Sequence, residues 1–214
     1  MSNRFFITLL VVIAGVVGIF AFTKQKNTDS NTGNSGNSQP TSHIQVQGKS
    51  GVVLIEYGDF QCPACGQYYP LVKELVEKYK DQITFQFRNF PLIQIHPNAM
   101  VAHRAAEAAD KQGKFWEMFD KIYQTQDQWS SGSNAGTIFE SFAAELGLDT
   151  AKFKADVNSP EVNSSINADI KEGQKLGVTS TPSFILDGVK IDNPRSLEDF
   201  TKLIDEAIAK KTKA

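Results

Sequence analysis

The sequence predicts an α/β fold with a helical domain inserted into it. Strand-like runs occupy two separate stretches, His43 to Phe90 and Pro182 to Ile191. Between them, from Asn98 to about Gly177, the apolar spacing is almost entirely helical. A last amphipathic helix, from about Leu197 to Ala209, returns the chain to the α/β frame.

The elements follow in order. "HIQVQ" alternates like a short strand, and "VVLIEY" is the near-continuous apolar run of a strand covered on both faces. "ITFQFRNF" is a third β-rich run. Between the last two lies "CPACGQYYPLVKELVEKYK", where Leu71, Val72, Leu75, Val76 and Tyr79 repeat at helical spacing, giving a β-α-β unit. Pro63 suits a first helical turn, where a missing N–H costs little; Pro70 falls in the interior and is expected to kink the helix. The helical block reads "NAMVAHRAAEAADKQ", "KFWEMFDKIYQTQ", "AGTIFESFAAELG", "DTAKFKADV" and "EVNSSINADIKEGQKLG", punctuated by Gly113, Gly132, Gly136, Gly147 and Gly177. "PSFILDG" and "VKI" then pair across a tight Asp187-Gly188 turn.

The chain before His43 differs in kind. Phe5 to Phe22 is an uncharged apolar run that as a helix would reach ~27 Å, close to the ~30 Å hydrocarbon core of a bilayer. It is expected to be an uncleaved membrane anchor. The rival is a cleaved signal peptide, but the run ends "GIFAFTKQK" with Phe22 where a small residue would be wanted. Arg4 on one side and Lys24 and Lys26 on the other leave the positive-inside count nearly tied. Either way the domain is exported. Residues 27–42, rich in Asn, Ser, Thr and Gly, lack any large apolar residue and read as a flexible linker. The expected organisation is thus 1–26 anchor or signal peptide, 27–42 linker and 43–214 folded domain, with the helical insertion at about 97–177 and "KKTKA" as a basic tail. A surface able to release counterions from phosphates would need a clear Lys and Arg excess, and with 22 basic against 24 acidic residues no nucleic-acid partner is expected.

Both cysteines of the chain, Cys62 and Cys65, stand in "GDFQCPACGQYY" with only Pro63 and Ala64 between them. A zinc site wants four ligands, and His43, His96 and His103 offer no closely spaced pair, so no metal is expected; a half-site shared with a partner chain remains conceivable. A structural bridge closing so short a loop adds little stability. A working redox couple fits the placement, because a C-x-x-C opening a helix after a central strand sets its first sulfur over free N–H groups that favour thiolate.

From about His43 onward the chain resembles the DsbA-like thiol-disulfide oxidoreductases of the thioredoxin superfamily, including membrane-anchored bacterial members. The resemblance rests on "CPAC" opening a helix, "EYGDFQCPAC" leading into it, "VTSTPSF" before a late strand, and an insertion containing "HPNAMVAHRAAEAADKQGKFWEMFDKIY". It implies a thioredoxin-like fold with an inserted helical domain. It also implies roles. Cys62 would be the exposed nucleophile, Cys65 the resolving thiol, Pro182 a cis-proline facing them, and Thr181 the strand partner of a substrate beside the Pro63-Ala64 dipeptide. Glu56 matches a buried acid that relays a proton to the inner cysteine, its alternative being a strand-end carboxylate in water. Trp129, His96 and His103 receive no role. Ala64 departs from strongly oxidising members, which often place a His there, and this leaves the direction of electron flow open.

The implied activity is introduction of disulfide bonds into exported proteins, by a monomer without cofactor, reoxidised by a quinone-linked membrane partner, at the cell membrane with the catalytic domain extracytoplasmic. A reductase or isomerase of the same compartment is the enzymatic alternative. A tethered binding module or chaperone with a static disulfide is the non-enzymatic one.

Overall fold

The computed structural model describes residues 39–213. The expected anchor Phe5–Phe22 and residues 27–38 of the expected linker lie outside them. Five strands form one sheet in the order β1-β3-β2-β4-β5: β1 His43–Gln47, β2 Val52–Gly58, β3 Ile83–Asn89, β4 Ser183–Leu186 and β5 Val189–Ile191. Only β2 and β3 run parallel. A parallel pair needs a crossover, and α1, Pro63–Tyr79, supplies it. β4 then pairs antiparallel with the other edge of β2, so Glu56 stands between Phe87 on β3 and Phe184 on β4. The β4–β5 turn has positive φ at both Asp187 (48°) and Gly188 (81°), which suits the right-handed twist of a two-residue hairpin.

Two apolar layers cover the sheet. On one face α1 and α8, Leu197–Thr212, bury Leu75, Phe200 and Ile204 against Leu54, Phe85 and Phe184. On the other, α7, Pro160–Lys175, packs Ile170 near Tyr57, Phe90 and Ile185. Each such side chain removed from water contributes about 1.5–3 kcal/mol.

The inserted helices are α2 Ala99–Asp110, α3 Phe115–Gln124, α4 Gln126–Trp129, α5 Ala135–Glu145 and α6 Thr150–Val157, with α7 completing the block. α2 buries Ala102, Ala105, Ala106 and Ala109, whose small side chains let its neighbours approach closely. Their core is continuous with the sheet's end: Phe60 lies 5.3 Å from Phe87, 5.5 Å from Phe119 and 5.0 Å from Tyr123, ring centre to ring centre. Trp129 is fully buried and donates from its indole nitrogen to the Ile122 carbonyl.

The structure departs from the sequence expectation at several points. The expected 114–126 helix stops at Gln124, because Thr125 turns out of helical geometry and its hydroxyl takes the Lys121 carbonyl at 2.7 Å, and α4 starts as a separate turn. α8 continues to Thr212, absorbing most of the expected basic tail. Thr41, placed in the linker by its composition, is buried and donates from its backbone N–H and hydroxyl to the two oxygens of Asp169, at 2.7 Å each. Asp169 also receives the Asn89 backbone N–H and side-chain amide and lies 3.3 Å from the Arg88 guanidinium, so this buried carboxylate is fully partnered. Among the described residues no helix is long and apolar enough to cross a membrane.

Candidate active site

β2 ends at Gly58, and Asp59, Phe60 and Gln61 carry the chain into α1. Cys62 is the N-cap, with extended backbone (φ −65°, ψ 121°), and its carbonyl accepts the Gly66 N–H at 3.1 Å. Pro63 takes the first helical position, where its missing N–H is harmless. The Cys62 sulfur faces the positive end of α1, with Cys65 one turn deeper and fully buried; contrary to the expectation of an exposed nucleophile, Cys62 is itself only 6% exposed, because the Thr181 loop lies against it, and both stand as free thiols. Pro63 is exposed and Ala64 partly so, forming the rim.

The two thiols are driven apart. A hydrogen bond from Cys65, against the opposing effect of burial and with further help from Thr181 and the N–H groups of Cys65 and Ala64, lowers the pKa of Cys62 to about 5. Burial first, then the bond to Cys62 and the negative charge of Glu56, push Cys65 well above the ordinary thiol range. Near neutral pH the reduced pair is one thiolate and one thiol.

Three further residues named from the sequence converge here. When protonated, the Cys62 thiol donates to the Thr181 carbonyl at 3.4 Å, whereas the help toward thiolate comes from the Thr181 side chain. The Thr181–Pro182 peptide is cis, and the loop is held by Asn193 donating to the Pro182 carbonyl and by the Ser183 hydroxyl donating to the Ser180 carbonyl. Glu56 is 3% exposed, which removes the reading of a carboxylate in water; burial raises its pKa to about 8, and its charge acts on Cys65.

Sequence reasoning missed the residues that hold the Asp59–Cys62 loop. Asp59 is fully buried, and its carboxylate accepts the N–H of Gln61 and of Leu92 at 2.8 Å each and pairs with His96 Nδ1 at 2.6 Å. Its own N–H points at the Cys65 sulfur, 3.5 Å away. His103 is buried with its pKa lowered by burial to about 4, and is neutral. Nε2 receives the Phe60 N–H at 3.4 Å, so Nδ1 carries the hydrogen and donates to Asn89 Oδ1 at 2.6 Å. From the insertion, Gln126 donates to the carbonyls of Phe60 and Cys62, while the Gln61 side chain accepts the Asn98 N–H and donates to the Ser130 carbonyl. The links from this loop to residues beyond β3 span between 33 and 69 positions, and no local pattern announces them. Among the described residues no group of His, Cys, Asp or Glu is placed to hold a metal.

Two cysteines at a helix N-terminus, a buried carboxyl behind them and a cis-proline loop in front define a class: thioredoxin-fold proteins with a C-x-x-C site. The chain belongs to the thioredoxin family, whose model, described as Thioredoxin, matches residues 38–206. Among curated proteins it is similar to Na(+)/H(+) antiporter NhaA 3 of Salinispora tropica, 32% identical over 167 residues, covering 78% of this chain and 25% of that protein. The chain thus spans about a quarter of the length of the curated relatives it matches. Among solved structures, a thioredoxin-like oxidoreductase from Silicibacter pomeroyi is 27% identical with a TM-score of 0.66, covering 79% of this chain and 93% of that one. Wolbachia pipientis alpha-DsbA1 shares the fold at 23% identity and a TM-score of 0.69, covering 81% and 95%.

Proposed function

We propose that the protein is a thiol-disulfide oxidoreductase that donates disulfide bonds to exported proteins. The observation that carries this reading is the opposite treatment of the two sulfurs: Cys62 is stabilised as thiolate by Cys65, Thr181 and the start of α1, while Cys65 is buried as thiol. Stabilising the reduced pair makes its disulfide a stronger oxidant. Ala64, in the place of a His, leaves this stabilisation to those groups.

A substrate thiolate attacks Cys62 Sγ; the Cys62–Cys65 bond breaks, and Cys65 leaves as a thiolate that takes a proton from Glu56. A second substrate thiolate then attacks the substrate sulfur of the mixed disulfide and expels Cys62, which needs no proton at neutral pH. Two electrons pass from the substrate to the cysteine pair. Thr181 offers backbone groups to an extended substrate segment beside the sulfur.

A quinone-linked membrane partner restores the disulfide, and Phe5 to Phe22 tethers a monomer whose catalytic domain is extracytoplasmic. Support for the tether is the length and apolarity of that run.

Equilibration of the Cys62–Cys65 pair in glutathione buffers tests the direction of transfer. A potential near about −120 mV supports disulfide donation, whereas one near about −270 mV assigns a reductase.

A further inference from the structure

We propose that Tyr123 and a single water held between it and Glu56 form the proton path joining the inner thiol to a surface cluster of Tyr69, Lys73 and Asp120. The proposal rests on the exchange chemistry above and adds the route by which Glu56 is reloaded.

A small cavity, with about 10 Å³ of room for the centre of a water molecule, is lined by the polar groups of Glu56, Tyr123, Tyr69, Lys73, Asp120 and Gln45, with Val72, Phe85 and Phe119 completing its wall. That is about the space one water needs, and the lining supplies the several polar partners such a water requires. Tyr123 is 5% exposed, and its hydroxyl has no hydrogen-bond partner among the described residues. Leaving a buried hydroxyl unpaired costs about 1–3 kcal/mol, so its placement at a water-sized cavity that Glu56 also lines points to what it bonds. The hydroxyl sits tightly against the end of β2: a Cβ on Gly58 would come within 3.1 Å of it.

The outer wall leads to solvent. The Tyr69 hydroxyl donates to Asp120 at 2.8 Å, Lys73 reaches the other Asp120 oxygen at 2.7 Å, and Gln124 donates to Tyr69 at 3.0 Å. The Lys73 side chain is 48% exposed. Burial first, and then the negative charges of Cys65 of α1, Glu56 of β2, Asp59 of the loop and the N-cap Cys62, keep the Tyr123 phenol protonated and therefore a donor.

When the disulfide opens, Cys65 leaves as thiolate and the Glu56 carboxyl gives it a proton, becoming carboxylate. The cavity water, oriented by the Tyr123 O–H, gives a proton to Glu56 and regains one from the Lys73–Asp120 side, which recovers its own from solvent. The net change is one solvent proton delivered to Cys65. Tyr123 is a positioning residue.

Tyr123→Phe removes only the oxygen, and Val72→Leu narrows the cavity while leaving every polar group in place. Carboxyl-carbon NMR of Glu56 in the oxidised full chain is one readout, and single-turnover opening of the disulfide by dithiothreitol as a function of pH is the other. Losing the water removes hydrogen bonds that favour the carboxylate, so both variants should raise the Glu56 midpoint by about half a pH unit or more. Opening needs the protonated carboxyl, so the alkaline fall of the opening rate should move up in pH by the same amount in both variants. If both variants fold with an unchanged Glu56 midpoint and an unchanged pH profile, whatever their thermal stability, the proposal is overturned. Should the wild type prove inactive on protein substrates, the Glu56 titration still decides the proton path separately from the proposed function.

Discussion

The Cys62 sulfur lies 3.4 Å from the Thr181 carbonyl oxygen, although 119 residues separate the two along the chain. The contact places the outer sulfur against the loop that would receive a substrate, while Cys65 stays covered. Cys62→Ser should abolish oxidation of a reduced model substrate. Cys65→Ser should instead accumulate a mixed disulfide through Cys62, visible as a reducible mass adduct on a non-reducing gel. Equal yields of adduct from the two variants would contradict the division of labour.

The separation of the thiols sets a pH signature. Alkylation of the reduced protein should follow a midpoint near pH 5 at Cys62, with Cys65 unreactive at neutral pH. The folded pKa of Cys62 is depressed below its ordinary value of 9.0, so its contribution is present above that value and lost as pH falls through about 5. The oxidised protein lacks this group. The stability of the reduced form relative to the oxidised form should therefore rise with pH across that window, measured by urea unfolding of both.

Glu56 has the opposite sign. Its folded pKa is raised from 4.5 to about 8, so the stability it contributes is complete below the lower value and is lost as pH rises through the upper one. Glu56→Gln stays neutral and should match wild type near pH 4. At pH 8 or above it should be more stable by about 2–4 kcal/mol, or several degrees in Tm. Disulfide opening should be slower in the same variant, so a gain in stability accompanies a loss of rate. Calorimetry at the two pH values checks the first half, and an unchanged stability difference between them would show that Glu56 titrates alike in the folded and unfolded chain.

Asp59 is expected to matter as much as its burial suggests. Asp59→Ala leaves the N–H groups of Gln61 and Leu92 unpaired and His96 without its partner, which should cost roughly 2–4 kcal/mol in urea unfolding. His96→Ala, which removes a half-buried partner and leaves the backbone bonds intact, should cost less than half of that.

The framework was legible because it is written locally. Alternation in "HIQVQ", the apolar run of "VVLIEY" and the helical spacing after Cys62 each declare an element within a few residues, and Pro63 marks a helix start by its missing N–H. Cys62 and Cys65 were legible by their spacing at a helix start, and Thr181-Pro182 through a resemblance. Asp59 and Tyr123 were not, since an acid in a loop and an aromatic on a helix acquire their meaning only from partners on other elements. Thr41 failed for a related reason: its polar neighbourhood reads as linker, and only Asp169, 128 positions away, makes it part of the fold.

Phe60 and the two cysteines share one apolar cluster with Phe119, Tyr123 and Trp129 of the insertion. Excising the inserted helices to obtain a minimal thioredoxin would therefore strip the reactive dithiol of one wall, exposing Phe60 and unfastening the carbonyls of Phe60 and Cys62 that Gln126 holds. The insertion is thus not a removable module: in this chain the redox centre and the helical domain would have to be transplanted, truncated or redesigned as a single unit.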